Sequence, residues 1–400
     1  MKNINLPILT ILGTLVIDAM GIGLILPVMP ALISDVRNID LSAAAAWGGV
    51  LTATFAVMQF CFSPLVGSLS DRFGRRPIIL ISLAVLAIDY VVMALAQSIW
   101  LLLLGRIIAG LAAATFSTAT AYIADLSEPE RRAQNFGLVS AAFGVGFVLG
   151  PVVGGLLGEI GPRAPFVAAA VLASLNLAAA CFVLRESLPP EKRRAFDIAR
   201  ANPVGALQHV GKLPGARRLL PVILLYDIAN YVYPAIWAYF TVAAFGWSTG
   251  VVGTSLAVYG VSMAVVQGGL IRPILRWLGE DRVCYWGMAL NVVCLIAYGL
   301  IGQAWMIWAL IPISAMGSMV DPAITALLSR QASDDQQGEV QGLLGSLSAI
   351  AMILSPVVMT QTFFMATRGD FVLPGAPFLL AAVLMAIGFA ILAARPVVPR

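Results

Sequence analysis

What most constrains this chain is a succession of apolar runs, each about twenty residues long, broken by short charged turns. A helix of that length crosses the ~30 Å hydrocarbon layer, and in lipid only helices and closed barrels satisfy every backbone polar group. Twelve spans are expected, at about 6–27, 45–66, 78–97, 99–124, 135–158, 165–184, 219–243, 251–271, 283–302, 304–328, 339–366 and 377–394. Composition excludes the soluble alternative. The chain is 60% hydrophobic and 11% charged, whereas soluble domains carry roughly 25% charged residues. The first run continues through Asp18 and Gly21 to Pro27 with no small-residue cleavage site, so it is expected as a retained helix and not a signal peptide.

An even number of spans places both ends on one side. Assigning that side to the cytoplasm puts 20 of the 24 basic residues inside, with only Arg37, Arg163 and Arg368 outside and Arg106 within a span. The positive-inside rule therefore sets the orientation, and the net charge of +4 is a topology signal, not a nucleic-acid surface. The longest polar stretch, Arg185 to Arg218, contains Pro189, Pro190, Pro203 and Pro214. It divides the chain into a six-helix half over 1–184, a cytoplasmic linker over 185–218 and a second half over 219–400. The sole histidine, His209, falls in this linker and reads as a solvated loop residue. Cys61, Cys181, Cys284 and Cys294 lie in apolar runs without metal or redox spacing, and are expected to be buried apolar residues with no disulfide.

The most polar short turn is Gly67 to Pro77, squeezed between two spans. Gly67 and Gly74 are expected to let the chain turn in little space, while Asp71, Arg72 and Arg75 reach water only at the membrane face. An ordinary positive loop that merely fixes orientation is the alternative. The stretch from Gly268 to Arg282 is a degraded echo of this turn after the eighth span, as in transporters built from parallel repeats.

Ionisable residues inside spans are costly, about 2.5–3.5 kcal/mol on insertion scales, and so mark polar cavities, proton sites or ion pairs. Asp18 and Asp89 both fall near mid-span, with Arg106 the nearest cation in sequence; a fixed Asp–Arg structural pair is the alternative. Asp227 and Asp321 are expected nearer the cytoplasmic ends of their spans, on the order of 10 Å deep. Pro322 frees a carbonyl upstream and marks a locally broken helix. Tyr226, Asn230, Tyr231, Tyr233 and Trp237 in the seventh span, with Gln59, Gln267 and Asn291, are candidates to line a cavity for a partly aromatic ligand; interfacial or interhelical packing is the competing role for each tyrosine. In the fifth span Gly146, Gly150 and Gly154, with Pro151, place small residues on one face, where a neighbouring helix can approach closely.

These motifs together resemble the major facilitator superfamily, specifically its drug–proton antiporter branch, over essentially the whole chain. Gly67 to Arg76 is similar to the family's loop motif, Leu104 to Gly110 to its fourth-helix motif, and Gly146 to Gly155 to the fifth-helix motif of antiporters. Asp18 to Gly23, Ser70 to Pro77, Asp89-Tyr90 and Gln341 to Leu344 resemble bacterial tetracycline–proton antiporters. The resemblance implies twelve transmembrane helices in two pseudo-symmetric halves, a bacterial inner-membrane location, and export of a small amphiphilic drug in exchange for protons by alternating access. It places Asp18 and Asp89 in a transmembrane acidic set and Arg75, Arg106 and Asp125 in a set supporting the conformational change. The second half departs from the pattern: Asn291 stands where many of these exporters carry an aspartate, and Met263 near where some carry a histidine. Asp227 and Asp321 are then the protonation candidates there. No cofactor or metal set is expected. The proton gradient is the energy source, a divalent cation carried with the drug stays open, and the working unit is a monomer in the bilayer. A broader multidrug or metabolite exporter, and a transporter-like receptor, are the other readings. An enzyme is disfavoured because no nucleophile stands with a plausible base.

Overall fold

The computed structural model describes residues 6–113, 115–194, 216–330, 337–369 and 372–394. His209 and most of the expected linker lie outside the described residues. In the first part of the chain the helices are α1 (Leu6–Ile25), α2 (Met29–Arg37), α3 (Leu41–Phe73), α4 (Arg75–Leu95), α5 (Ile99–Ala112), α6 (Thr115–Leu126), α7 (Arg132–Gly158) and α8 (Ala164–Val183). They are followed by α9 (Ala216–Asn230), α10 (Val232–Phe245), α11 (Thr249–Val265), α12 (Ile271–Leu300), α13 (Ala304–Ala315), α14 (Val320–Ser329), α15 (Gln337–Ala366) and α16 (Ala376–Ala393).

Eleven continuous helical stretches among the described residues are long and apolar enough to cross a membrane. One of them, Thr249–Leu300, holds 52 residues. That is about 78 Å of helix, more than twice what one ~30 Å crossing needs. It is interrupted at Gly279, whose φ of 76° no helix contains. Two crossings on this stretch bring the total to the twelve expected.

Gly279 has a counterpart at Gly74, between α3 and α4, with φ 105°. Both take a left-handed or wider conformation that side chains disfavour, and both stand at the same place in the echoed turn. Gly67 differs from expectation. It lies inside α3, which stays helical to Phe73, so Gly74 alone makes the turn. Cysteine placement also differs: Cys284 and Cys294 are buried, whereas Cys61 and Cys181 are exposed on helix faces. All four are free thiols. A membrane helix can keep an apolar thiol on its outer face because lipid, not water, is its solvent.

The chain forms two compact units. The first comprises Met1–Ile39, Thr54–Pro203 and Ser248–Ala257. In it α1 packs along α7 and α8, and α4 packs on α5, α6 and α8. Ile11, Leu15, Ile79, Leu83, Tyr122 and Ile123 form its buried centre. The second comprises Asp40–Ala53, Val204–Trp247 and Val258–Arg400. There α9 and α12 pack on α16, α15 lies against α9 and α10, and α14 lies against α12.

Candidate functional site

The arginine-rich turn is organised by Arg75, the first residue of α4. Its guanidinium meets Asp71 Oδ1 at 2.7 Å and Asp125 Oδ2 at 3.3 Å, and donates to Ser70 Oγ at 2.5 Å. Arg72 turns away and lies over the Phe73 ring, 5.1 Å from its centroid, so Arg75 is the partner of Asp125. A residue without motif spacing completes the cluster. Glu186 accepts hydrogen bonds from the backbone N–H of Arg75 (2.8 Å) and Arg76 (3.3 Å), placing a carboxylate on the positive end of α4. It lies so close over Gly74 that a Cβ there would meet its Cδ at 2.6 Å. Ser187 donates to Asp125 at 3.1 Å, and the Arg194 amide donates to the Asp71 carbonyl at 3.1 Å. Residues 185–194 are thereby fastened to the turn. The side chain of Arg75 is 13% exposed and that of Asp125 24%. Arg75→Ala leaves Asp71, 39% exposed, to solvent and Asp125 with Ser187, and is expected to cost about 0.5–1 kcal/mol, measurable by thermal unfolding in detergent.

Deeper in the first unit Asp89 on α4 pairs with Arg106 on α5 through Oδ2 and Nη2. The aspartate side chain is 1% exposed and the arginine 11%, so this is a buried ion pair. Gly105 leaves the room it needs: a Cβ there would stand 2.8 Å from Asp89 Oδ1. That oxygen and Arg106 Nε are both buried with no hydrogen-bond partner among the described residues. Tyr90 is buried with its hydroxyl seated on Gly21 of α1, one turn from Asp18. Asp18, Asp89 and Arg106 all lie within electrostatic reach of that hydroxyl. The structure thus gathers these three residues in one neighbourhood, as their depth in the spans predicts.

In the second unit the proline-marked break is a 3-10 turn over Met316–Met319, just before Asp321. The Gly317 carbonyl there accepts from the Tyr226 hydroxyl and from Asn291 Nδ2, each at 3.3 Å. Asp227 bonds Ser348 and lies within electrostatic reach of Asp321. Tyr231 reaches the same Ser348 hydroxyl at 3.4 Å. Tyr233 and Trp237 sit in a ring cluster with Phe240, Tyr298 and Phe378. Trp237 is 5% exposed, so its face is spent on packing. Asn230 donates back to the Tyr226 carbonyl at 2.9 Å, and Gln59 donates to the Ala113 carbonyl at 3.4 Å. Gln267 is exposed within a π-helical turn, Val266–Leu270.

Helix α7 has two glycine faces, only one of which its four-residue spacing reveals. Gly146, Gly150 and Gly154 lie on the backbone of α1, and Pro151 packs on Gly23. Gly155 faces the Ser248–Ala257 end of α11, where an added Cβ would stand 2.6 Å from the Thr249 carbonyl and 3.1 Å from Gly253 Cα.

Residues 11–356 match the family model described as Major Facilitator Superfamily. The chain belongs to this superfamily. A tetracycline resistance protein, class C, of Escherichia coli is 41% identical over 90% of both chains. Another, class G, of Vibrio anguillarum is 36% identical over 88% of this chain and 89% of that protein. Among solved structures, the human organic anion transporter MFSD10 (TETRAN) is 25% identical with a TM-score of 0.69, covering 96% of this chain and 98% of that one. As a superfamily member the protein is a multi-pass membrane transporter of small molecules and not an enzyme. Its relatives support a role in drug efflux.

Proposed function

We propose that this transporter is a proton-coupled antiporter that exports a small amphiphilic drug, with tetracycline the favoured cargo, by alternating access between two six-helix halves. It works as a monomer in a bacterial inner membrane with both ends of the chain cytoplasmic. The observation that carries the coupling is Asp89: a carboxylate buried in a membrane helix, with one oxygen on Arg106 and the other without a partner among the described residues. An unshared lone pair in a low-dielectric setting is a place for a proton to land, and a proton there weakens the hold on Arg106. Asp18 is the second carrier in the same neighbourhood. Asp227 and Asp321 serve the second unit, whose polar break at Met316–Met319 suits a water-lined path. The relatives named for tetracycline resistance support the cargo.

The experiment is uptake into inverted vesicles under an imposed pH gradient, with tetracycline beside unrelated drugs and dyes. Proton-driven accumulation of tetracycline is the expected result. A profile that excludes it moves the protein to the broader multidrug reading, and binding without flux makes it a receptor. Asp18→Asn is expected to lower uptake at least ~10-fold with folding intact, because the amide is isosteric but cannot carry a proton. At the turn, Arg75, Asp71 and Asp125 form a latch that breaks in each cycle. Asp71→Asn should therefore slow flux while equilibrium drug binding stays unchanged; a loss of binding alone would assign Asp71 a different role.

A further inference from the structure

We infer that Glu159 is a positioning residue of the transport cycle, whose carboxylate ties the first turn of α11 to the end of α7 and lets go when that end of α11 leaves. The inference rests on the alternating-access reading above. Glu159 follows the last residue of α7, at the end remote from the arginine-rich turn. Its Oε1 accepts from the Gly250 amide at 2.6 Å and from the Thr249 hydroxyl at 3.3 Å. The single Thr249 hydroxyl hydrogen is shared with the Gly155 carbonyl, 3.1 Å away. A carboxylate on the unpaired amides of a helix start is a charge-assisted contact, stronger than a neutral one. Beneath it the two backbones approach closely through Gly155, Gly250 and Gly253. The polar tie is what holds the crossing in register.

The second unit repeats the device at its own second-helix end. Asp40 caps α3 by accepting from the Ala43 amide at 2.7 Å and pairs with Arg368 beyond α15 at 3.4 Å. Thr367 donates to Ser42 at 2.7 Å beside it. The helix ends Asp40–Ala53 and Ser248–Ala257 are the second spans of the two expected halves, and each is grouped apart from the rest of its own helix. Two equivalent helix ends, each fastened by a carboxylate, are what releasable contacts in a repeat-built transporter require.

The charged group nearest Glu159 in sequence, Arg163, is engaged by Asp35 at 3.0 Å and by the Ala96 carbonyl at 3.0 Å. From α11 and the residue before it the tie is faced by Ser248, Thr249 and Gly250, none of which titrates. The Ser248 hydroxyl first, and then the Gly250 amide, hold the Glu159 carboxyl below the usual glutamate range. A depressed value means that the tie is fully present above the ordinary glutamate pKa and is lost as pH falls through the lowered one. Between ~pH 5 and 8 the tie stays charged, so movement of the helices breaks it and protonation does not.

The test is a disulfide between Glu159→Cys and Gly250→Cys, in a chain with Cys61 and Cys181 replaced by serine. Oxidation is expected to arrest tetracycline uptake, and reductant to restore it. Glu159→Gln, which keeps an acceptor, should stay within about twofold of the parent, whereas Glu159→Ala should lower kcat about three- to tenfold at unchanged KM, as loss of a charge-assisted hydrogen bond implies. Both effects should be flat across ~pH 5 to 8. A cross-linked protein that transports at the full rate, or a disulfide that never forms, overturns the inference. Disulfide yield is read on a gel without any flux. A reduced protein that cross-links well but moves no drug overturns the antiport reading and leaves the contact standing.

Discussion

Asp89→Asn is expected to bring proton-driven uptake down to background, with a cost in stability that a second substitution repairs. The amide cannot carry a proton, and it also leaves the Arg106 guanidinium, 11% exposed, without its anion. Breaking a buried ion pair by removing one partner costs about 3–5 kcal/mol, because the remaining charge stays buried. Replacing both, as Asp89→Asn with Arg106→Gln, removes the stranded charge and should restore most of the thermal stability. Uptake separates the two roles of the pair. If Asp89 carries the proton, the double variant is stable and inactive; if the pair is only structural, the double variant recovers transport along with its melting temperature. Both quantities come from one purified sample, by thermal unfolding in detergent and by flux after reconstitution.

The second large effect is expected at Gly154. A Cβ there would stand 2.7 Å from Leu24 Cα and 2.8 Å from the Leu24 carbonyl carbon, and a backbone cannot swing aside as a side-chain tip can. Gly154→Val adds three carbons at this crossing and must push α1 off α7. Overpacking a tight interior costs about 1–3 kcal/mol, and rigid backbone on both sides puts this position at the upper end. Gly144, on the same helix, has nothing within 4 Å of a built Cβ. Gly144→Ala should fall within about ±0.5 kcal/mol of the parent. Folded yield and melting temperature of the two variants, measured side by side, test whether the clash matters or merely the loss of glycine.

The fold was legible because the membrane leaves so few options. Run length alone yields twelve spans, and the structure differs mainly in joining two of them through Gly279 and in keeping Gly67 helical. The Asp89–Arg106 pair and the Arg75–Asp125 contact were also legible, since a lone cation inside a span and a charged turn have few partners to choose from. What sequence did not reveal are contacts made by residues of ordinary spacing. Glu186 is one of two acids between Arg185 and Arg194, and only its position over Gly74 exposes its hold on α4. The face of α7 at Gly155 was hidden for a related reason: its partners, Thr249 and Gly253, lie almost a hundred residues away and carry no period of their own. For Tyr233 and Trp237 the sequence admits two roles, cavity lining and interhelical packing, with packing the stronger for any single tyrosine, and a pattern of residue types holds no information on which rings will find one another.

The break at Met316–Met319 has a chemical consequence for position 291. The Gly317 carbonyl is an acceptor, and what Asn291 offers it is an N–H. An aspartate in that place would turn a lone pair toward a lone pair and would fit only with its carboxyl protonated. A Cβ on Gly317 would stand 2.6 Å from Asn291 Nδ2, so a side chain there would push the amide out of this contact. Tyr226 donates to the same oxygen, so donors from α9 and α12 converge on one backbone atom. The amide at 291 is therefore more than an acid left out of the membrane. It supplies the donor polarity that this 3-10 turn demands, so on the proposed reading proton carriage in the second unit falls to Asp227 and Asp321.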